Sequence, residues 1–316
     1  MRLAMYLNQG DPRLGAVQGE AVVDLNLAYE AMLAANGNLR ARAKAEALVP
    51  SETVAFLRGG DDSLTAARTA LKWAAVPSSA TLKVRNAPVV RPLKDVKLLA
   101  PVMKPEKIIC VAHNYHDFLK ELGMKPHPIP RIFSKFANAV CAWDDPVIRP
   151  KMSRQLGYEA ELAFVIGKRC KNVPEEKAYD VIAGYMTFND ISASDCTKSD
   201  VQNTRGKGFD TFAPMGPCLV TADEVADPHD LKVELRVNGR VLQSSNTREL
   251  VHNVPQLLSF CSQVFTLEPG DVVATGTPGG LAKDRNPPTF MEPGDVMETE
   301  IGDLGLMRNP IVEEKV

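Results

Sequence analysis

The chain has 316 residues, 45% hydrophobic and 24% charged, with 37 basic against 39 acidic side chains and a formal net charge of -2. That is the composition of a globular protein with room for a large core, and it excludes the basic surface that a nucleic-acid backbone or an anionic membrane needs. A small anionic substrate would therefore require a local device such as a bound cation.

The N-terminus, MRLAMYLNQGDPRLG, has no apolar signal-peptide segment and reads as a first strand. No run of 18 apolar residues exists to span a bilayer. Six cysteines lie 22 to 43 residues apart without a CxxC pair, which argues against a disulfide framework or a zinc site and for a reducing, cytoplasmic setting. RLAMYL and AVQGEAVVDL read as strands, the second folding on itself at Gly19-Glu20. Ser51 is placed to cap SETVAFLRGG, which Gly59-Gly60 would stop, and Asp62 or Ser63 to cap LTAARTALKWAA. The proline-rich stretch from Val76 to Pro105 has no helical period, so residues 1–95 are expected to form a small α+β domain.

Residues 96–316 change texture to short β-branched runs: KIICVA, PVIRP, ELAFVIG, VIAGYMTFN, CLVTA, LKVELRVNG, VVATG and GDVMETEI. This predicts a β-rich sandwich or barrel-like domain. Asn238-Gly239 signals a two-residue hairpin, and EEKAYDVI and ELVHNVPQLLSFCSQV read as helices.

Glu159 and Glu161 frame Ala160 ahead of a continuous apolar run. On a strand both carboxylates face one side; on a helix they would lie about 200° apart. The solvent face of an edge strand is one reading. The other follows from the apolar neighbourhood: buried carboxylates at close range repel unless a cation lies between them. An all-oxygen set suits Mg²⁺ or Mn²⁺, with Ca²⁺ also admissible. Asp190, at the end of another strand, could be a third ligand or a turn cap. Lys207, between Gly206 and Gly208, could offset the surplus negative charge or be a solvated loop lysine. DVVATGTPGG reads either as a tight turn or as a nest of backbone N–H groups which, with the Thr277 hydroxyl, holds a carboxylate. His113 and His116 lack zinc-ligand spacing.

In order, KIICVAHNYHDFLKELG, PRIFSKF, DPVIRP, YEAELAFVIGK, AGYMTFNDISASD, RGKGFDTFAPMGPCLVTADEVADPHDL, VNGRVLQSSNT, LEPGDVVATGTPGG and PPTFMEPGDVMETEIGDLG resemble the fumarylacetoacetate hydrolase family, closest to its domain-containing branch. The resemblance implies a mixed β-sandwich roll, usually a homodimer, with a Mg²⁺ or Mn²⁺ site. It implies Glu159, Glu161 and Asp190 as metal ligands and Lys207 as the lysine beside the metal. It also implies Gly276-Thr277 as the loop touching a substrate carboxylate, with Tyr115 in substrate binding and Glu121 in catalysis. The family's members cleave, decarboxylate or tautomerise small 2-oxo acids and acylpyruvates. The chain departs from the pattern at the lid motif NYxxHxxE, where Phe118 stands in the histidine position. It also departs at Ser194, in place of an arginine, at Gly157, in place of an aspartate, and in a shortened stretch between Asp195 and Arg205. The expected function is a divalent-metal-dependent enzyme acting on a small anionic 2-oxo acid through an enolate. The loss of the histidine favours decarboxylation or tautomerisation over hydrolysis. The alternative is a catalytically impaired, ligand-binding or structural dimer.

Overall fold

A computed structural model describes residues 1–75 and 81–315. One twisted sheet runs Val90–Pro92, Ala21–Asp24, Asp11–Gln18, Arg2–Asn8, Ala213–Thr221, Ile182–Asn189, Ala160–Ile166, Val272–Ala274, Ile108–Ala112, Arg131–Lys135. A five-stranded sheet runs Val147–Arg149, Leu306–Glu313, Val296–Ile301, Lys232–Val237, Arg240–Asn246. Leu235, Met297 and Ile301 from the second sheet share one core with Phe164 and Phe188 of the first. The mixed β-rich α+β roll expected from the sequence is what these strands form.

The strand that follows Glu159 and carries Glu161 is central, with every residue from Ala160 to Ile166 buried, which explains its continuous apolar run. Edge-strand exposure is therefore ruled out for Glu161. The boundary expected near residue 95 falls within a continuous sheet: Arg2 and Leu3 pair with Val220 and Leu219, and Phe56 and Leu25 join the same core as Phe164. Residues 76–80 of the proline-rich stretch lie outside the described residues.

Several local expectations change. Glu52, not Ser51, caps the Thr53–Arg58 helix, its two carboxylate oxygens accepting from the N–H groups of Val54 and Ala55. The next helix starts at Gly60, so Asp61 and Asp62 lie in its first turn, where carboxylates favour the dipole, and neither Asp62 nor Ser63 caps it. Glu175–Val181 is a 3₁₀ segment, and the later helix is confined to Val254–Val264 by a capping box between Asn253 and Gln256. The Asn238-Gly239 hairpin is as expected: Val237 pairs with Arg240, and the turn residues take φ of 52° and 77°.

Candidate metal centre

The antiparallel register pairs Ala160 with Asn189 and Glu161 with Phe188, so the residue before one strand and the residue after the other, Glu159 and Asp190, meet at the same end. The Asp190 N–H donates to the Glu159 carbonyl at 2.9 Å, and Asn189 Oδ1 accepts from the Glu159 N–H at 3.0 Å. Glu159, Glu161 and Asp190 thereby bring a carboxylate oxygen each to within 4.8 Å of one another. Three residues separated by up to 31 positions converge because the pairing places them there.

Two lysines face this cluster. Lys207 ends the short Asn203–Lys207 helix, and its Nζ lies 2.6 Å from Asp190 Oδ2 and 3.0 Å from Glu159 Oε1. It is buried, which excludes the solvated-loop reading. Lys135, fully buried, donates to Asp190 Oδ1 and, at 2.9 Å, to the Ile191 carbonyl. Three carboxylates against two ammonium groups leave one net negative charge in a buried place. Burial is the largest influence on Glu161 and, with the charges of Asp190 and Glu159, pushes its carboxyl well above the usual range. Burial also acts to raise Asp190, but the charges of Lys135 and Lys207 outweigh it and hold it below the usual range. Burial acts to lower Lys207, and the carboxylates of Asp190 and Glu159 more than reverse that. An all-oxygen donor set with surplus negative charge and a carboxylate that resists ionisation on its own fits a hard divalent cation.

Glu159 and Lys207 open onto a cavity of about 510 Å³, a size suited to a small metabolite, with Thr277 in its wall. Gly276, at φ 100°, brings its backbone so close to Asn114 that a Cβ would stand 2.9 Å from the Asn114 Cβ, which excludes any other residue. Its N–H donates to Glu161 Oε2 at 2.9 Å, so it orients a metal-site carboxylate instead of pointing at a ligand. Gln243, buried, accepts from the Ala160 N–H at 2.9 Å and donates to Thr277 Oγ1 at 2.9 Å, which leaves the Thr277 O–H as a donor for a ligand.

The Gly279 and Gly280 N–H groups of the expected nest hold carboxylates of the protein itself: Asp117 Oδ1 at 3.3 Å and Glu121 Oε2 at 2.8 Å. Both belong to the lid helix His116–Glu121 or its first turn. Glu121 is exposed and outside the cavity lining. Tyr115 is fully buried in a cluster with Phe118, Leu250 and Leu281, its hydroxyl without a hydrogen-bond partner, and it does not line the cavity. Phe118 does, and His116, on the other side of the helix, faces a separate shallow groove with Asp117 and Lys120. Gly157 and Ser194 lie together: a Cβ on Gly157 would stand 3.4 Å from Ser194 Oγ, and both residues line the cavity.

The sequence reading did not single out Lys135, Gln243 or Arg131, and weighed His113 only as a zinc ligand. PRIFSKF carries Lys135 five residues after Pro130, but only the pairing of Ile108–Ala112 with Arg131–Lys135 shows it pointing at Asp190.

The sequence profile described as fumarylacetoacetate (FAA) hydrolase C-terminal matches residues 107–312. The chain belongs to the fumarylacetoacetate hydrolase family. This family member is 39% identical over 318 residues to the oxaloacetate tautomerase fahd2, mitochondrial, of Xenopus laevis, covering 99% of this chain and 90% of that one. It is 47% identical over 222 residues to an uncharacterized protein of Archaeoglobus fulgidus, covering 70% of this chain and 84% of that one. The maleylpyruvate hydrolase from Sphingobium sp. SYK-6, solved in complex with a manganese(II) ion and pyruvate, superposes with a TM-score of 0.74 at 31% identity, covering 100% of each chain. The fumarylacetoacetate hydrolase from psychrophilic Exiguobacterium antarcticum gives a TM-score of 0.77 at 30% identity, covering 99% of this chain and 100% of that one. Relatives of this chain that carry an activity in their names are enzymes: tautomerases, isomerases and hydrolases. No helix among the described residues is long and apolar enough to cross a membrane.

Proposed function

We propose that this family member is a divalent-metal-dependent tautomerase of small 2-oxo dicarboxylic acids, with oxaloacetate as the type of substrate. The observation that carries the reading is a complete carboxylate cluster with its lysine, on a cavity roofed by a phenyl ring in the position of an acid–base residue. A divalent cation, Mg²⁺ or Mn²⁺, held by Glu159, Glu161 and Asp190 would supply a Lewis acid for an oxygen on which negative charge collects. Lys207 Nζ adds a second positive charge at the same place, fixed by its contacts to Asp190 and Glu159. Thr277, aimed by Gln243, donates to a substrate carboxylate. Hydrolysis needs a base to activate water, a contribution of typically 10² to 10⁴ in rate, and Phe118 supplies none. Tautomerisation only moves a proton between C3 and O2 of the substrate, and so depends on charge stabilisation more than on water. The resemblance to the oxaloacetate tautomerase of Xenopus laevis supports the same choice. The proposal takes the enzyme as a homodimer and its partner as a small anionic 2-oxo acid.

The test follows the ultraviolet absorbance of the oxaloacetate enol with Mg²⁺ or Mn²⁺, comparing wild type with Glu161→Ala. Metal-dependent acceleration by wild type alone is expected. Equal rates in the two proteins would overturn the proposal.

A further inference from the structure

With Phe118 in the roof, a polar ring from the turn before the lid helix stands beside it in the cavity wall. His113 lines the cavity, and its ring meets the Phe118 ring edge-on at 5.7 Å between centroids. It holds a left-handed backbone at φ 57°, a conformation uncommon outside glycine though less so for histidine, and its surroundings help to enforce it here. The enforcement comes from Asn114, buried, whose side chain donates to the carbonyls of His252 at 2.9 Å and Thr275 at 2.8 Å and accepts from the His252 N–H at 2.8 Å. His113 is thus anchored to the central strands, independently of the lid helix.

The chemistry of its neighbours fixes which ring nitrogen carries the proton. Arg131, opposite Ala112 in the strand pairing, brings a guanidinium nitrogen to 3.4 Å from His113 Nδ1. A guanidinium only donates, so Nδ1 accepts and Nε2 bears the hydrogen. We propose that His113 serves as a fixed hydrogen-bond donor through Nε2–H to an oxygen of the 2-oxo acid on which negative charge develops, a role distinct from the water-activating base absent at Phe118. No proton leaves the ring; the hydrogen bond tightens as the oxygen gains charge.

The electrostatics agree with that geometry. Burial, then the positive charges of Arg131, His127, Lys283 and Lys207, lower the His113 pKa to about 4, so the ring stays uncharged throughout the neutral range. His127, stacked on it at 5.7 Å and 16° between planes, and Arg131 help to keep it from gaining a proton, and with Nδ1 engaged by Arg131 the nitrogen left for a ligand in the cavity that His113 lines is Nε2. A preorganised neutral donor costs no reorganisation when charge appears.

This inference rests on the tautomerase reading, and two measurements separate their fates. In the first, His113→Phe lowers kcat for oxaloacetate enolisation by about 10²-fold, the loss typical of one oxyanion donor. His113→Gln, which keeps an N–H donor, recovers part of it, and both variants retain the rise in Tm that Mg²⁺ gives wild type. A His113→Phe enzyme as fast as wild type would overturn the donor role, whereas an inert wild type would overturn the tautomerase reading. The second needs no turnover: nitrogen-15 NMR of the imidazoles in wild type, with Mg²⁺ and oxalate as an unreactive enolate mimic. The expected result is a neutral His113 with its proton on Nε2 down to pH 5 and an Nε2–H resonance that moves downfield when both are added. A proton on Nδ1, a midpoint near 6.5, or a resonance unmoved by oxalate would overturn it.

Discussion

Glu159, Glu161 and Asp190 stand at the ends of two central strands that pair with each other from Ala160 to Ile166, whereas Phe118 and Glu121 stand on a six-residue helix tied down by a small apolar cluster and two hydrogen bonds from glycine N–H groups to its carboxylates. The floor of the cavity places charges that repel one another, which only a continuous ladder of hydrogen bonds can hold in register. The roof carries no charge into the cavity and needs only to cover it. Floor and roof therefore tolerate change differently, and substitutions on each side should separate stability from chemistry.

The largest effect belongs to the floor. Asp190→Ala strands the buried ammonium of Lys135 and leaves that of Lys207 with Glu159 alone, and should cost about 3–5 kcal/mol in urea or thermal unfolding. A cost under about 1 kcal/mol would show that the lysines relax to water and that the floor is softer than its burial implies. Glu161→Gln should fold, since a neutral residue relieves repulsion there. It should lose the metal-dependent gain in stability, about 2.7 kcal/mol for wild type at a Mg²⁺ concentration 100-fold above Kd. An unchanged Mg²⁺ response in differential scanning calorimetry would remove Glu161 from the ligand set.

On the roof, Phe118→His should cost about 1–2 kcal/mol, because an imidazole buries less apolar surface beside Tyr115, Leu250 and Leu281. It should also gain hydrolysis of an acylpyruvate, read by loss of the enol absorbance and appearance of pyruvate. No gain would mean that the helix holds residue 118 wrongly for water activation. Gly279→Ala sets a Cβ 2.4 Å from Glu121 Oε2, which must release Gly280. Stability should change by less than about 1 kcal/mol while KM rises, a split that steady-state kinetics would show.

The smallest effect is a pH dependence of metal affinity. In the metal-free protein the raised pKa of Glu161 means that it keeps its proton to higher pH than an ordinary glutamate, so a binding cation must displace it. Mg²⁺ affinity should therefore rise with pH through that raised range. Calorimetric titrations in buffers of different ionisation enthalpy should reveal proton release, and a buffer-independent heat would refute it.

The floor was largely legible from the chain alone because its signals are local: ExE in an apolar strand, an aspartate at a strand end, a lysine between glycines. The strands themselves were recognisable from their β-branched runs for the same reason. What stayed hidden depends on pairing between distant segments. Lys135 reads as an ordinary charge until its strand is laid beside Ile108–Ala112, and His113 gains a direction only once Asn114 is bonded to the 252 and 275 segments. The capping sites were misplaced for a different reason: Glu52 reaches two N–H groups with one carboxylate, an option that a preference for serine at helix starts overlooks.

Gly157 and Ser194 occupy adjoining places in the cavity wall, at positions where the family resemblance implies an aspartate and an arginine. Removing both members of such a couple leaves vacant side-chain volume and no orphaned charge, so the enzyme should accept 2-oxo acids with longer tails than oxaloacetate. Restoring the couple by paired mutagenesis would narrow that range, which makes this corner of the wall a practical handle for redesigning selectivity.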